Sequence, residues 1–213
     1  MYKKIVTAIA LLPIFLVSSE NLTFNSFDLP NTLSNIISNL LISPVEAVQL
    51  RDGKTYFVQL PIFLDAEATV NSINARSVTY YFAIALPKNM GEPLQKLEFF
   101  QTEGFESVDF IHNDTVAYLQ KSSGDRVAIF SKTELLPNQD QPNQDRKKIT
   151  VTFDPPIPAN NELNSKLIVG LRPVRNPRYD GVYLFGVTAF PQGDRPNSQF
   201  LGYGRLNFYS SRY

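Results

Sequence analysis

The 213-residue sequence has no cysteine, no tryptophan, one histidine and two methionines. Without cysteine there is no disulfide, no thiol nucleophile, no thiolate metal site and no lipidated N-terminal cysteine. The absence assigns no compartment, because a domain of this size folds without disulfides. The shortage of imidazole and thioether ligands argues against a copper or zinc carrier, and no metal or other cofactor is expected. A Ser-His-Asp triad would have to use His112, and no Gly-x-Ser-x-Gly elbow accompanies it. A phosphate-binding glycine loop and a dinucleotide fingerprint are also missing. The formal net charge is zero, so nothing points to nucleic acid.

Long apolar runs are scarce too. The most apolar stretch, "IVTAIALLPIFLV" (Ile5 to Val17), follows the basic start "MYKK". It is shorter than the roughly 20 residues a spanning helix needs. The pair reads as the first two regions of a secretory signal, so export is expected, with no membrane span in the mature chain. Val45-Glu46-Ala47 predicts cleavage before Val48, and Val17-Ser18-Ser19 offers an alternative after Ser19. The expected organisation is a signal peptide plus spacer over 1–47 and one domain over 48–213. The expected location is periplasm or cell envelope, with the thylakoid lumen as the alternative.

What the sequence has is aromatic and strand-like. There are 16 Phe, 10 Tyr and 15 Pro, a composition suited to pleated sheets and hostile to long helices. "VTYYFAIAL" (Val78 to Leu86) alternates, with Tyr80 and Phe82 on one face. "ITVTF" turns Ile149, Val151 and Phe153 inward, and the prolines after it are expected to end the ladder. "KLIVGL" does the same with Leu167, Val169 and Leu171. Further strands are expected at "TYFVQL", "LQKLEFFQT", "SVDFI", "TVAYL" and "RVAIFSK". "VYLFGVTAF" and "FLGYGRLNFY" are apolar on both faces and predict central strands, with Leu184 and Phe185 in the core. Gly186, Gly202 and Gly204 mark bulges or close strand approach. The polar segment 136–147 predicts a mobile loop. Strands at intervals of about ten residues predict an antiparallel, immunoglobulin-like β-sandwich, with an antiparallel barrel as the alternative.

Charge is unevenly placed. Residues 48–165 carry 11 Lys/Arg against 15 Asp/Glu, and residues 166–213 carry 7 against 2. The segment "LRPVRNPRYDG" holds Arg172, Arg175 and Arg178 among prolines that favour an extended, stiff course. A polyproline-II-like path would put all three on one side. Arg172, one residue after the inward Leu171, is expected to anchor the loop in a structural ion pair. Arg175 and Arg178 are expected to point outward, with Tyr179 and Tyr183 as neighbours, as a site for an anion or a partner. Asp65 with Glu67, and Asp109 with Asp114, offer carboxylates, but neither spacing matches a calcium loop.

The stretches "AVQLRDGKTYFVQLP", "VTYYFAIALPKNMGEPLQKL", "VTFDPPIP", "VGLRPVRNPRYDGVYLFGVTAFPQG" and "FLGYGRLNFY" occur in this order. Together they resemble a secreted cyanobacterial family catalogued as a domain of unknown function, number 2808. The resemblance implies an exported cyanobacterial protein and brings no activity, cofactor or site residue. The spacer before Val48 and the loop at 136–147 depart from it. The expected role is a non-enzymatic envelope module for an acidic polysaccharide or an envelope protein. An envelope hydrolase using paired carboxylates is the alternative.

Overall fold

The computed structural model describes residues 53–137, 146–162 and 165–210. The chain divides into two units, Met1–Ser43 and Pro44–Tyr213, and the first lies wholly outside the described residues. The signal segment and both expected cleavage sites therefore lie outside them, as does most of the polar loop expected at 136–147.

The second unit is a sandwich of two five-stranded sheets whose ladders are all antiparallel. The sheets stay separate and do not close into a barrel. The strands, in chain order, are β1 (Ile62–Ala68), β2 (Tyr80–Ala85), β3 (Leu94–Glu103), β4 (Phe110–Gln120), β5 (Arg126–Ala128), β6 (Ser131–Pro137), β7 (Lys147–Ile157), β8 (Lys166–Pro173), β9 (Gly181–Pro191) and β10 (Gln199–Phe208). The first sheet has the order β1-β2-β8-β4-β5, and the second β10-β9-β3-β7-β6. No helix occurs among the described residues.

Period-2 patterning explains the layers. Tyr80, Phe82 and Ile84 from β2, Leu167 and Val169 from β8, Val151 and Phe153 from β7, and Phe185 and Val187 from β9 are all fully buried between the sheets. Aromatic rings lock the layers together. Phe82 meets Phe99 with centroids 4.8 Å apart, and Tyr80 packs on Phe110, Phe185 and Phe208 at 5.6–6.2 Å. Such tilted and edge-on pairs add about 0.5–1.5 kcal/mol each beyond area burial.

Several expectations change. "TYFVQL" is not a strand; only Thr55 makes an isolated bridge, to Pro196. The first strand is β1, whose inward residues are the partly buried Phe63 and the small Ala66 and Ala68, while Ile62 and Leu64 face out. Only Phe110 and Ile111 of "SVDFI" are in a strand, and they join "TVAYL" in β4, whose register against β8 shifts between Phe110 and Thr115. "RVAIFSK" divides between β5 and β6, which belong to different sheets. β7 runs on through Pro155 and Pro156, because its pairing with β6 has ended at Phe153 and its register with β3 shifts there, leaving no ladder for the prolines to interrupt. β9 is internal, but β10 is an edge strand with Phe200 and Tyr203 exposed. Leu184 is only partly buried, since alternation sends it outward between the buried Tyr183 and Phe185. Leu136, Pro137 and Lys147, expected in the polar loop, belong to β6 and β7.

The glycines divide by cause. Gly202 (φ +147°) sits at the bulge where β10 slips against β9. A Cβ at Gly204 would stand 2.8 Å from the Ala66 Cβ, so the close approach of β10 to β1 depends on small residues from both sheets.

Candidate functional site

The arginine segment lies at one end of the sandwich, where β8 runs out into the loop before β9. Asn176 fixes this loop. Its side chain is completely buried, and its Nδ2 donates to the Val70 carbonyl at 2.8 Å and to the Ser72 carbonyl at 2.7 Å. Its Oδ1 accepts from the Tyr80 hydroxyl at 2.9 Å. Its backbone N–H donates to Ala75 O, and the Asn74 N–H donates to Pro177 O. Burial, with Tyr183 nearby, keeps the Tyr80 hydroxyl protonated well above its ordinary range. The segment is thereby sewn to residues 70–75, before β2.

A second loop, 104–109, is built by Gln101 and Gly104. The buried Gln101 donates through Nε2 to the carbonyls of Glu103 and Glu106, and its Oε1 accepts from the Val108 N–H at 2.9 Å. Gly104 has φ +137°, and a Cβ there would lie 2.3 Å from Tyr183 Cδ1. Only glycine lets this loop close over the tyrosine. The loop presents Glu106, which binds Arg178 twice. Its Oε2 accepts from Arg178 Nε at 2.8 Å, and its Oε1 accepts from the Arg178 backbone N–H. Burial opposes the Glu106 charge, but the Arg178 hydrogen bonds and the Arg178 and Arg175 charges outweigh it and hold the carboxyl below its usual range.

Between the two loops and Arg76 lies a cleft of about 320 Å³, lined also by Asp109, Val174, Arg175 and Arg178. Among the described residues, Arg76 and Arg175 form no ion pair, whereas Arg178 is held by Glu106. Asp109 lies 3.6 Å from Lys147 Nζ. The arrangement holds more cations than acids. Two guanidinium forks are open to an incoming carboxylate, sulfate or phosphate.

The three arginines of the segment separate. Arg172 is still within β8 and faces outward, where its Nη1 lies 3.2 Å from Asp114 Oδ2 on β4, clear of the cleft. Arg175 lines the cleft and is exposed. Arg178 is also exposed, and Glu106 holds its guanidinium. Tyr179 is 54% exposed, with the Arg178 guanidinium 5.8 Å from its ring centre. Tyr183 corrects its expectation: it is a core residue, fully buried, with its hydroxyl donating to Tyr179 O at 3.1 Å. In β9 it alternates inward, which leaves it no face for a partner. Arg76, Glu106 and Asn176 are the residues the sequence pattern did not bring forward.

The other candidates fall elsewhere. Asp109 and Asp114 each face a different cation, and among the described residues no cluster of three or more metal-ligating side chains occurs. Asp65 and Glu67 share the outer face of β1. His112 is exposed on the register shift of β4 and forms no hydrogen bond with a serine or carboxylate among the described residues.

Fold and cleft define an antiparallel β-sandwich with an arginine-bordered end. The family described as "Protein of unknown function (DUF2808)" matches residues 54–208, and the chain belongs to it. No curated protein sequence matches. Solved structures with a similar arrangement include the group B streptococcus pilus 2b backbone protein, at 12% identity and a TM-score of 0.39, covering 65% of this chain and 56% of that one. They also include ACE19, the collagen binding subdomain of the Enterococcus faecalis surface protein ACE, at 10% identity and a TM-score of 0.39, covering 70% of this chain and 98% of that one. The C-terminal domain of the Streptococcus pyogenes antigen I/II-family protein AspA has 16% identity and a TM-score of 0.33, covering 68% and 46%. The chain thus spans 56% of the pilus protein's length and 46% of the AspA domain's.

Proposed function

We propose that this chain is an exported, non-catalytic binding domain of the cell envelope that takes the anionic groups of an acidic polysaccharide at its arginine-bordered end. Export rests on the basic start and apolar run at the N-terminus, with cleavage after Ala47 and the binding domain beginning at Val48. One observation carries the binding reading. Arg76 and Arg175 line a cleft of about 320 Å³ and form no ion pair among the described residues, beside an arginine already fixed by Glu106. The buried Asn176 ties together the backbones of the two segments that carry Arg76 and Arg175, so the spacing of the two arginines is set before a ligand binds.

The paired-carboxylate hydrolase reading finds less support. A glycosidase acid needs a raised pKa. Glu106 is shifted the other way, and Asp109 faces Lys147. The test is interferometry of the full chain over immobilised polygalacturonate and over neutral dextran, at low and high salt. Binding to the acidic polymer alone, weakened by salt, is expected. Arg76→Ala with Arg175→Ala should weaken it about tenfold or more, the worth of one lost charge-assisted hydrogen bond. Equal binding to dextran, or a double variant that binds normally, would overturn the proposal.

A further inference from the structure

A second hollow lies on the outer face of the first sheet, and the strand registers explain how it forms. Glu67, Tyr81, Gly170 and Val116 lie in one cross-strand row over β1, β2, β8 and β4. Asp65, Ala83, Ile168 and Tyr118 lie in the next. The central strand β8 contributes no side chain at Gly170, where a Cβ would come within 2.8 Å of Tyr81 Cε1. The Tyr81 ring therefore settles over the glycine. Ile168 points away from the core yet is only 8% exposed, because the neighbouring rows cover it. The result is a trough of about 320 Å³, with Ala83 and Ile168 lining it between the two tyrosines.

Its polar groups are of both signs and lie at opposite ends. Asp65 and Glu67 come from β1, at one edge of the sheet, and Arg126 comes from β5, at the other. Among the described residues none of the three has an ion-pair partner. Asp65 Oδ1 accepts only from the neighbouring Ala66 N–H, and the Arg126 guanidinium stands 5.0 Å from the Tyr118 ring centre. A carboxylate only accepts hydrogen bonds and a guanidinium only donates them. A ligand matched to both must both donate and accept, and must offer an apolar flank to tyrosine. A pyranose has these properties: hydroxyls that do both, and a C–H face that lies on an aromatic ring. A purely cationic ligand would satisfy the acids but be repelled by Arg126. The volume is at the small end of ligand sites, which run from roughly 300 to 1,000 Å³, so it suits one or two sugar units.

We infer that this trough is a binding site for a neutral sugar unit, separate from the arginine cleft. The site stands on its own residues and does not depend on the reading of that cleft. The test screens the full chain on an array of neutral oligosaccharides and titrates the best binder by calorimetry, with 1,5-diaminopentane as a cationic probe. Neutral-sugar binding that is insensitive to salt is expected. Tyr81→Ala and Asp65→Asn should each weaken it about tenfold, while Arg76→Ala with Arg175→Ala leaves it unchanged. Asp65 is exposed and Tyr81 half-buried, and an unchanged melting temperature separates lost binding from lost folding. If Tyr81→Ala does melt early, Asp65→Asn, which keeps the shape, decides. No binding across the array, binding of the diamine alone, or sugar binding lost only in the arginine variant each overturns the inference.

Discussion

Replacing Asn176 with alanine is the sharpest perturbation of the arginine loop. The substitution removes one acceptor and two donors from a side chain with no solvent exposure. The Tyr80 hydroxyl, also fully buried, loses its partner with no route to water. A buried unsatisfied group costs about 1–3 kcal/mol. The Val70 and Ser72 carbonyls lie nearer the surface, where water can replace the lost donor, so each contributes about 0.5–1 kcal/mol. The sum is about 2–5 kcal/mol. For a domain of this size that lowers Tm by roughly 4–20 °C, at about 2–4 °C per kcal/mol. Urea unfolding followed by far-ultraviolet circular dichroism measures it directly. Tyr80→Phe should cost about 1–2 kcal/mol, since it orphans only Asn176 Oδ1. The double variant Tyr80→Phe with Asn176→Ala should cost less than the sum of the two, because the shared hydrogen bond can be lost only once. A loss below about 1 kcal/mol for Asn176→Ala, or strict additivity, would refute the claim that this residue pins the loop.

Other outcomes follow from the same contacts. Phe153→Ala should destabilise by about 3–5 kcal/mol in the same urea assay, because the ring is fully buried between the sheets. Arg172→Ala should cost no more than about 1 kcal/mol, since its pair with Asp114 is 49% and 38% exposed, and should leave polymer binding unchanged. The lowered pKa of Glu106 makes its share of stability full above the ordinary value of 4.5 and lost as pH falls through the lower folded value. Glu106→Gln should therefore flatten the acid limb of a Tm-against-pH curve, and an unchanged limb would contradict the assignment. Gly104→Ala should disturb the 104–109 loop and weaken polymer binding, because its Cβ would strike Tyr183. Amide exchange in that loop would report it.

Much of the fold is legible where alternation and burial agree. β2, β7 and β8 announce themselves because their inward positions carry Tyr80, Phe82, Val151, Phe153, Val169 and Leu171, and their outward positions, Tyr81 and Ile168 apart, carry small or polar residues. β1 does not. A bulge between Phe63 and Asp65 breaks its alternation, so Phe63, Ala66 and Ala68 turn inward while Ile62 and Leu64 face out. β4 was obscured by the polar "HND" at its register shift, which reads locally as a turn. β10 reads as central because its outer face carries Phe200 and Tyr203, yet it is an edge strand.

The cleft was half legible. Proline spacing picked out Arg175 and Arg178, but their setting depends on Arg76, Glu106 and Asn176, which lie on separate loops and share no local pattern. Nothing around Glu106 in the sequence predicts that it would tie down Arg178, nor that Tyr183 would be taken by the core. The same holds for the trough, where Asp65, Tyr81, Tyr118 and Arg126 meet only through the order of strands.

The most direct test of the binding claim observes the arginines themselves. Side-chain Nε–Hε resonances of the ¹⁵N-labelled chain, assigned by Arg→Lys substitution, would be followed during titration with a galacturonate oligomer. Arg76 and Arg175 should shift progressively and saturate together, Arg178 should shift less because Glu106 already holds it, and Arg172 should stay still. Uniform small shifts across all four arginines, or movement of Arg172 alone, would contradict an anion site at this end of the sandwich.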